Sequence, residues 1–243
     1  MGRLDGKIAL VTGSSRSIGK AIAIALAKEG ANLVLAARTV SGLEATAASV
    51  RSASPEALAV PTDLRIESQI DNLFNKTMER FGRLDILVNN AGVFDGGPID
   101  KLTTAAWDNV IGVNLRAAFL CTRAAFRIMK QQGGGRIINI GSISASRVRA
   151  GNAPYSSAKS GLVGLTHTTA LEGRDFNITC GILHPGNVER DQKPAEGAGW
   201  AGEPKMSQEE IAAACVYMAC QPPDVNVLEL IQLPKDQPYL GRG

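Results

Sequence analysis

Histidine is nearly absent from this chain: His167 and His184 are the only two in 243 residues. So few imidazoles argue against a His-based metal site, and no metal is expected. The four cysteines, Cys121, Cys180, Cys215 and Cys220, have neither CxxC spacing nor a histidine pair nearby. Buried, reduced thiols acting as small hydrophobes are the expectation. Charge of one sign is also lacking, with 26 Lys and Arg against 23 Asp and Glu. The net +3 is too small to point to a nucleic acid or a membrane surface. No apolar run approaches the roughly 18 residues of a bilayer span. Met1-Gly2-Arg3-Leu4-Asp5-Gly6 has neither an apolar signal region nor the Ser/Thr of a myristoylation site, so a cytoplasmic protein is expected. There is no internal repeat, low-complexity tract or interdomain linker before residue 186, and the length suits one α/β domain.

What is present begins with Lys7-Ile8-Ala9-Leu10-Val11, a short apolar run that reads as a buried parallel strand. A glycine-punctuated turn follows, Thr12-Gly13-Ser14-Ser15-Arg16-Ser17-Ile18-Gly19, and then a strong helix former from Lys20 to Glu29. Strand, tight turn and helix is the arrangement in which backbone N–H groups and a helix N-terminus receive a pyrophosphate. The rest of the chain alternates in the same way. Strands are expected near 32–37, 57–61, 84–88, 135–141, 177–183 and 227–233. Helices are expected near 17–29, 41–52, 66–81, 103–130 with a break near Asn114, 154–173 and 207–220. Such alternation implies βαβ crossovers and a doubly wound parallel sheet with helices on both faces. Ligands bind these sheets at the carboxyl edge, where Thr12, Ala37, Asp63, Asn89, Ser142 and Pro185 fall.

The stretch Pro154-Tyr155-Ser156-Ser157-Ala158-Lys159 places a phenol and an ammonium four residues apart, on one helix face. A nearby positive charge favours the phenolate and draws a phenol, ordinarily with a pKa of about 10, toward neutrality. Tyr155 and Lys159 together with Ser142, Asn114, Asn89-Asn90-Ala91-Gly92 and the spacing of Gly13, Ser17 and Gly19 resemble the short-chain dehydrogenase/reductases, over about residues 7–186. The resemblance implies a single Rossmann-type domain of about seven parallel strands binding NAD(H) or NADP(H). It also implies cofactor contacts from Gly13, Ser15, Arg16, Ser17, Ile18, Gly19, Arg38, Asp63, Leu64, Asn90, Ala91, Gly92, Tyr155, Lys159, Pro185, Gly186 and Val188. The catalytic set implied is Asn114, Ser142, Tyr155 and Lys159. A substrate lid is expected over 187–206, and homodimers or homotetramers through the helices carrying Ala117-Ala118-Phe119-Leu120 and Gly161-Leu162-Val163-Gly164-Leu165.

The cofactor can be argued from the end of the second strand. An acidic residue there would bond the adenosine ribose of NAD, whereas arginine accommodates the 2′-phosphate of NADP. Ala37-Arg38 stands there, with Arg16 in the glycine turn, so NADP is expected. The function that follows is hydride transfer between nicotinamide and a secondary alcohol/ketone or aldehyde, with Tyr155 as general acid/base. Ser17 and Arg190 depart from the family's glycine and threonine, and the tail 225–234 replaces the common glycine-rich ending. These departures motivate a different class of reading, a catalytically idle Rossmann protein that senses NADP(H) or serves as an assembly subunit. Arg147 and Arg149, between Ser142 and Tyr155, are expected to point to one side of an extended loop and to meet an anionic group of the substrate.

Overall fold

Alternate residues of β1 (Ile8–Thr12) leave the strand on opposite faces, and both faces are covered. Ala9 and Val11 join Leu33 and Leu35 of β2 (Asn32–Ala37) in one core, against Ile22 and Leu26 of α1 (Ser17–Lys28), Leu43 and Ala47 of α2 (Val40–Arg51) and Ile211 and Cys215 of α7 (Gln208–Ala219). Ile8 and Leu10 join Val34 in the other core. Their partners are Ile70 and Leu73 of α3 (Glu67–Phe81) and Leu120 and Met129 of α5 (Ala117–Gln132). Burial on both sides is why these strands read as continuous apolar runs rather than alternating ones. Leu162 of α6 (Ala153–Gly173) packs with Ala118 and Ile182 on the α5 side.

The remaining strands are β3 (Ala57–Pro61), β4 (Ile86–Asn89), β5 (Gly135–Ile140), β6 (Ile178–Pro185) and β7 (Glu229–Gln232). All seven pair in parallel, in the order β3-β2-β1-β4-β5-β6-β7. The chain runs outward from β1 to β3 and then returns to β4 on the other flank of β1, which makes the β1–β4 boundary a topological switch point. The computed structural model describes residues 2–52, 56–189, 191 and 202–239. Arg190 and most of the lid expected over 187–206 lie outside them. No helix among the described residues is long and apolar enough to cross a membrane.

The break expected near Asn114 takes a definite form. A helix begun at α4 (Thr104–Ile111) widens into a π-helical turn, Gly112–Arg116, before continuing as α5. Single π-turns insert one residue into a helix and are found frequently at functional sites. Helix α7 opens on the expected capping box: the Ser207 hydroxyl accepts from the Glu210 N–H, and the Glu210 carboxylate accepts from the Ser207 N–H. Three of the four cysteines are buried thiols, and Cys220 is partly exposed.

Candidate active site

The glycine turn is pressed against the end of β4. Gly13 has φ +67°, and a Cβ there would stand 2.8 Å from the Cα of Ala91. A Cβ on Gly19 would collide with the Gly13 carbonyl and the Asn90 side-chain amide. Thr12 Oγ1 accepts from the N–H groups of Asn90 (3.0 Å) and Ala91 (3.1 Å), and Asn90 Nδ2 donates to the Thr12 carbonyl at 2.9 Å. These bonds lock Asn90-Ala91-Gly92 to the turn across the switch point. Ser17, where the family has glycine, takes φ +52°. That left-handed conformation costs a non-glycine residue about 1 kcal/mol or somewhat more, which gives the family's glycine its physical reason.

The first turn of α1 has no acidic side chain, and Arg16 at its N-cap makes no side-chain cap. The Ser17 N–H donates to Asp191 Oδ2 at 3.0 Å, so a carboxylate meets the positive end of the helix. The Ser14 hydroxyl is fully buried and has no hydrogen-bond partner among the described residues. Ser15 abuts Gly42 of α2, and Ile18 packs on the core. Backbone donors at a helix N-terminus, glycines where side chains would intrude and an unpartnered hydroxyl together fit a dinucleotide pyrophosphate. At the end of β2, Arg38 is exposed and is followed by Thr39 and Val40, with no acid among them. Asp63 and the buried Leu64 follow β3 on the same edge. The carboxylate of Asp63 is held by Arg65 at 2.6 Å, and the hydrogen bonds from Arg65 pull its pKa down to about 2.

Tyr155 and Lys159 lie one turn apart on α6. Pro154, at the start of that helix, occupies a position where its missing N–H is harmless. The Lys159 ammonium stands 5.6 Å from the Tyr155 ring centroid and donates to the Ile140 carbonyl at 2.7 Å. Burial pulls its pKa down to about 8. Ile140 ends β5, and Ser142 follows two residues on, its hydroxyl accepting from the Ser144 N–H at 3.1 Å. From the other side, both amide atoms of Asn114 bond Val93: Oδ1 accepts from its N–H (2.8 Å) and Nδ2 donates to its carbonyl (2.9 Å). The next residue, Phe94, meets the Tyr155 ring edge-on with centroids 5.7 Å apart. Lys159 is thus tied to the end of the strand that Ser142 follows, and Asn114 to the segment that flanks Tyr155, so the four expected catalytic residues meet at one edge of the sheet. Pro185 ends β6, the Gly186 N–H donates to the Gln232 carbonyl at 2.8 Å, and Val188 bridges to Met206.

A scan of family models matches the short chain dehydrogenase family over residues 7–198. The chain belongs to that family. Among curated members, it is 38% identical to a 3-oxoacyl-[acyl-carrier-protein] reductase of Synechocystis over 79% of this chain and 78% of that one. It is 35% identical to a (2S)-[(R)-hydroxy(phenyl)methyl]succinyl-CoA dehydrogenase subunit of Thauera aromatica, over 89% and 90%. Among solved structures, a short-chain dehydrogenase of Burkholderia cenocepacia in complex with NADP superposes with a TM-score of 0.87 at 35% identity, covering 95% of this chain and 97% of that one. Short-chain dehydrogenases are oxidoreductases that use a nicotinamide cofactor, and this member shares their seven-stranded parallel sheet.

One expectation does not hold. Arg147 and Arg149 do not present a common pair of charges to a substrate: Arg149 is ion-paired with Glu203 at 2.7 Å, and the Arg147 guanidinium lies over the Tyr239 ring at 5.4 Å. Three further residues join the site without having been picked out by the sequence. Phe94 follows Asn90-Ala91-Gly92 too loosely to be read. Gln237, whose Oε1 accepts from the Asn187 N–H at 2.8 Å, comes from the tail. His184 directly precedes Pro185-Gly186 at a strand's carboxyl end, a position that could have marked it.

Proposed function

We propose that this short-chain dehydrogenase is an NADP(H)-dependent oxidoreductase that moves a hydride between nicotinamide and a secondary alcohol/ketone or an aldehyde. The observation that carries the reading is the linkage of Tyr155, Lys159, Ser142 and Asn114 at the carboxyl edge. A bound nicotinamide supplies or accepts the hydride. As the substrate carbonyl becomes an alkoxide, Tyr155 gives its phenolic proton to that oxygen, and in oxidation it takes the proton of the alcohol. The Ser142 hydroxyl already accepts from Ser144, which leaves its own O–H to donate to the same substrate oxygen. Lys159, charged below about pH 8, favours the phenolate left behind on Tyr155. The side chain of Asn114 is fixed by its two bonds to Val93, and in this reading Asn114 steadies a water in the proton path.

The preference for NADP rests on Arg38 and Arg16, both exposed beside the nucleotide cleft, as partners for a 2′-phosphate. The proposed assembly is a homodimer or homotetramer through α5 and α6; Phe119 on α5 is 44% exposed and Leu171 on α6 58%. The cytoplasm is the proposed location, and residues 187–206 the proposed substrate lid. Mixing purified protein with NADPH and a panel of ketones and aldehydes, and following nicotinamide absorbance, tests the reading. Oxidation of NADPH that depends on the carbonyl supports it. NADPH binding without turnover of any carbonyl or alcohol would favour the sensor or subunit reading instead.

A further inference from the structure

β5 and β6 run in register, with Ile140 beside Leu183, and the Gly141 N–H donates to the Leu183 carbonyl at 2.7 Å. One residue further along each strand, the His184 imidazole lies against the backbone of Gly141 and Ser142. A Cβ on Gly141 would stand 2.7 Å from His184 Nδ1 and 2.9 Å from Cε1, so this approach requires glycine at 141. Nδ1 is 2.9 Å from the Ser142 carbonyl oxygen and 3.3 Å from the Ser142 nitrogen. A single ring nitrogen cannot donate to the one and accept from the other at once. The shorter contact selects the tautomer protonated at Nδ1, which donates to the carbonyl.

His184 is 5% exposed. Burial lowers its pKa from the ordinary histidine value, opposed by the hydrogen bond to the Ser142 backbone and by Glu229 of β7, with Lys159 and His167 of α6 acting in the same direction as burial. The net lowering favours the neutral ring. Within its own loop Ser142 is held by the Ser144 N–H on its hydroxyl and the Ala145 N–H on its carbonyl (3.0 Å), and the ring from the next strand bonds that same carbonyl from outside the loop. Among the described residues, no other residue of the site fastens the main chain of Ser142 from outside its own loop.

We infer that His184 is a positioning residue for the reaction, fixing the main chain of Ser142 so that its hydroxyl is aimed at the substrate oxygen beside Tyr155. The inference rests on the reading of Ser142 given above. Hydrogen-bond donors work on a developing oxyanion only when they are placed before it forms, and small misplacements of such groups lower the rate without weakening ground-state binding. A neutral imidazole suits this task. It adds no charge near Lys159, and its anchoring bond runs to a backbone atom that substitutions elsewhere in the loop leave in place.

The test uses steady-state kinetics at saturating NADPH on the full-length protein, with the best carbonyl of the panel. His184→Ala should lower kcat roughly tenfold, the rate equivalent of one hydrogen bond's net contribution. KM for the carbonyl and Kd for NADPH should stay within about twofold. His184→Asn should recover most of the rate, because its Nδ2–H is attached to Cγ as Nδ1 is and can reach the Ser142 carbonyl. His184→Gln, one methylene longer, should stay slow. In a Ser142→Ala background, His184→Ala should add less than about twofold, since the two substitutions remove one function. A His184→Ala enzyme with unchanged kcat would overturn the inference, and so would Asn and Gln variants that are equally slow. If the Ala variant fails to fold, the comparison of Asn with Gln decides. Full turnover by Ser142→Ala would instead remove the reading of Ser142, and this inference with it; a slow Ser142→Ala beside a fast His184→Ala removes the inference alone.

Discussion

Replacing Lys159 by Met should change the pH dependence of stability by an amount the structure sets. Lys159 is 5% exposed, and burial pulls the pKa of its ammonium from 10.5 to about 8. Between those values the unfolded chain holds a proton that the folded chain has released, so stability rises with pH across this window. Below about pH 8 the full cost stands: at about 1.4 kcal/mol per unit, burying the charge costs about 3 kcal/mol near neutrality. That is a large share of the 5–15 kcal/mol by which domains are stable, roughly. Lys159→Met removes this cost but leaves the Ile140 carbonyl without its 2.7 Å donor, a loss of about 1–3 kcal/mol that does not vary with pH. The sign of the difference at a single pH is therefore not diagnostic, and its slope is. Urea unfolding of both proteins, stripped of nucleotide, should show the wild type gaining about 2 kcal/mol on the variant between about pH 7 and pH 9.5. A gap that stays constant across that range would show that Lys159 titrates alike in the folded and unfolded chains. The buried ammonium would then not be the destabilised group required here, a charge kept for its effect on Tyr155 at the expense of stability.

How much of this was readable in the sequence depends on whether the information was local. The Gly13 and Gly19 turn, the Tyr155–Lys159 pair and the strand ends that collect Thr12, Asn89, Ser142 and Pro185 are short-range patterns. Each had a local physical reason: a positive φ, one helix face, a continuous apolar run. The break near Asn114 was visible too, although the sequence could not distinguish a stop from the π-turn at Gly112–Arg116. Contacts between segments far apart in the chain were not legible. Asn114 finds Val93 across 21 residues, and His184 finds Ser142 across 42, through a strand register that no periodicity encodes. Arg147 and Arg149 failed for the same reason. Alternation in an extended loop speaks only of how the two stand relative to each other, whereas Glu203 and the Tyr239 ring, which they meet, come from distant parts of the chain.

Tyr155→Phe should keep NADPH binding, read by nucleotide fluorescence, and lose turnover by roughly a hundredfold or more, the scale of a removed general acid/base; near-normal kcat would move the proton transfer elsewhere. Wild type should bind NADPH more tightly than NADH by about one to two decades, the worth of charge-assisted bonds to a 2′-phosphate, and Arg38→Asp should abolish or reverse that order in a calorimetric titration. Ser17→Gly should leave the midpoint of thermal unfolding almost unmoved, because relief of the strain at φ +52°, about 1 kcal/mol, is offset by a similar gain in unfolded-chain freedom. The same change should tighten NADPH binding by a few-fold, since a missing side chain lets the pyrophosphate approach the backbone N–H groups of α1 more closely; weaker binding in the glycine variant would mean that the Ser17 hydroxyl itself bonds the phosphate, making this departure from the family pattern a ligand rather than a tolerated obstruction.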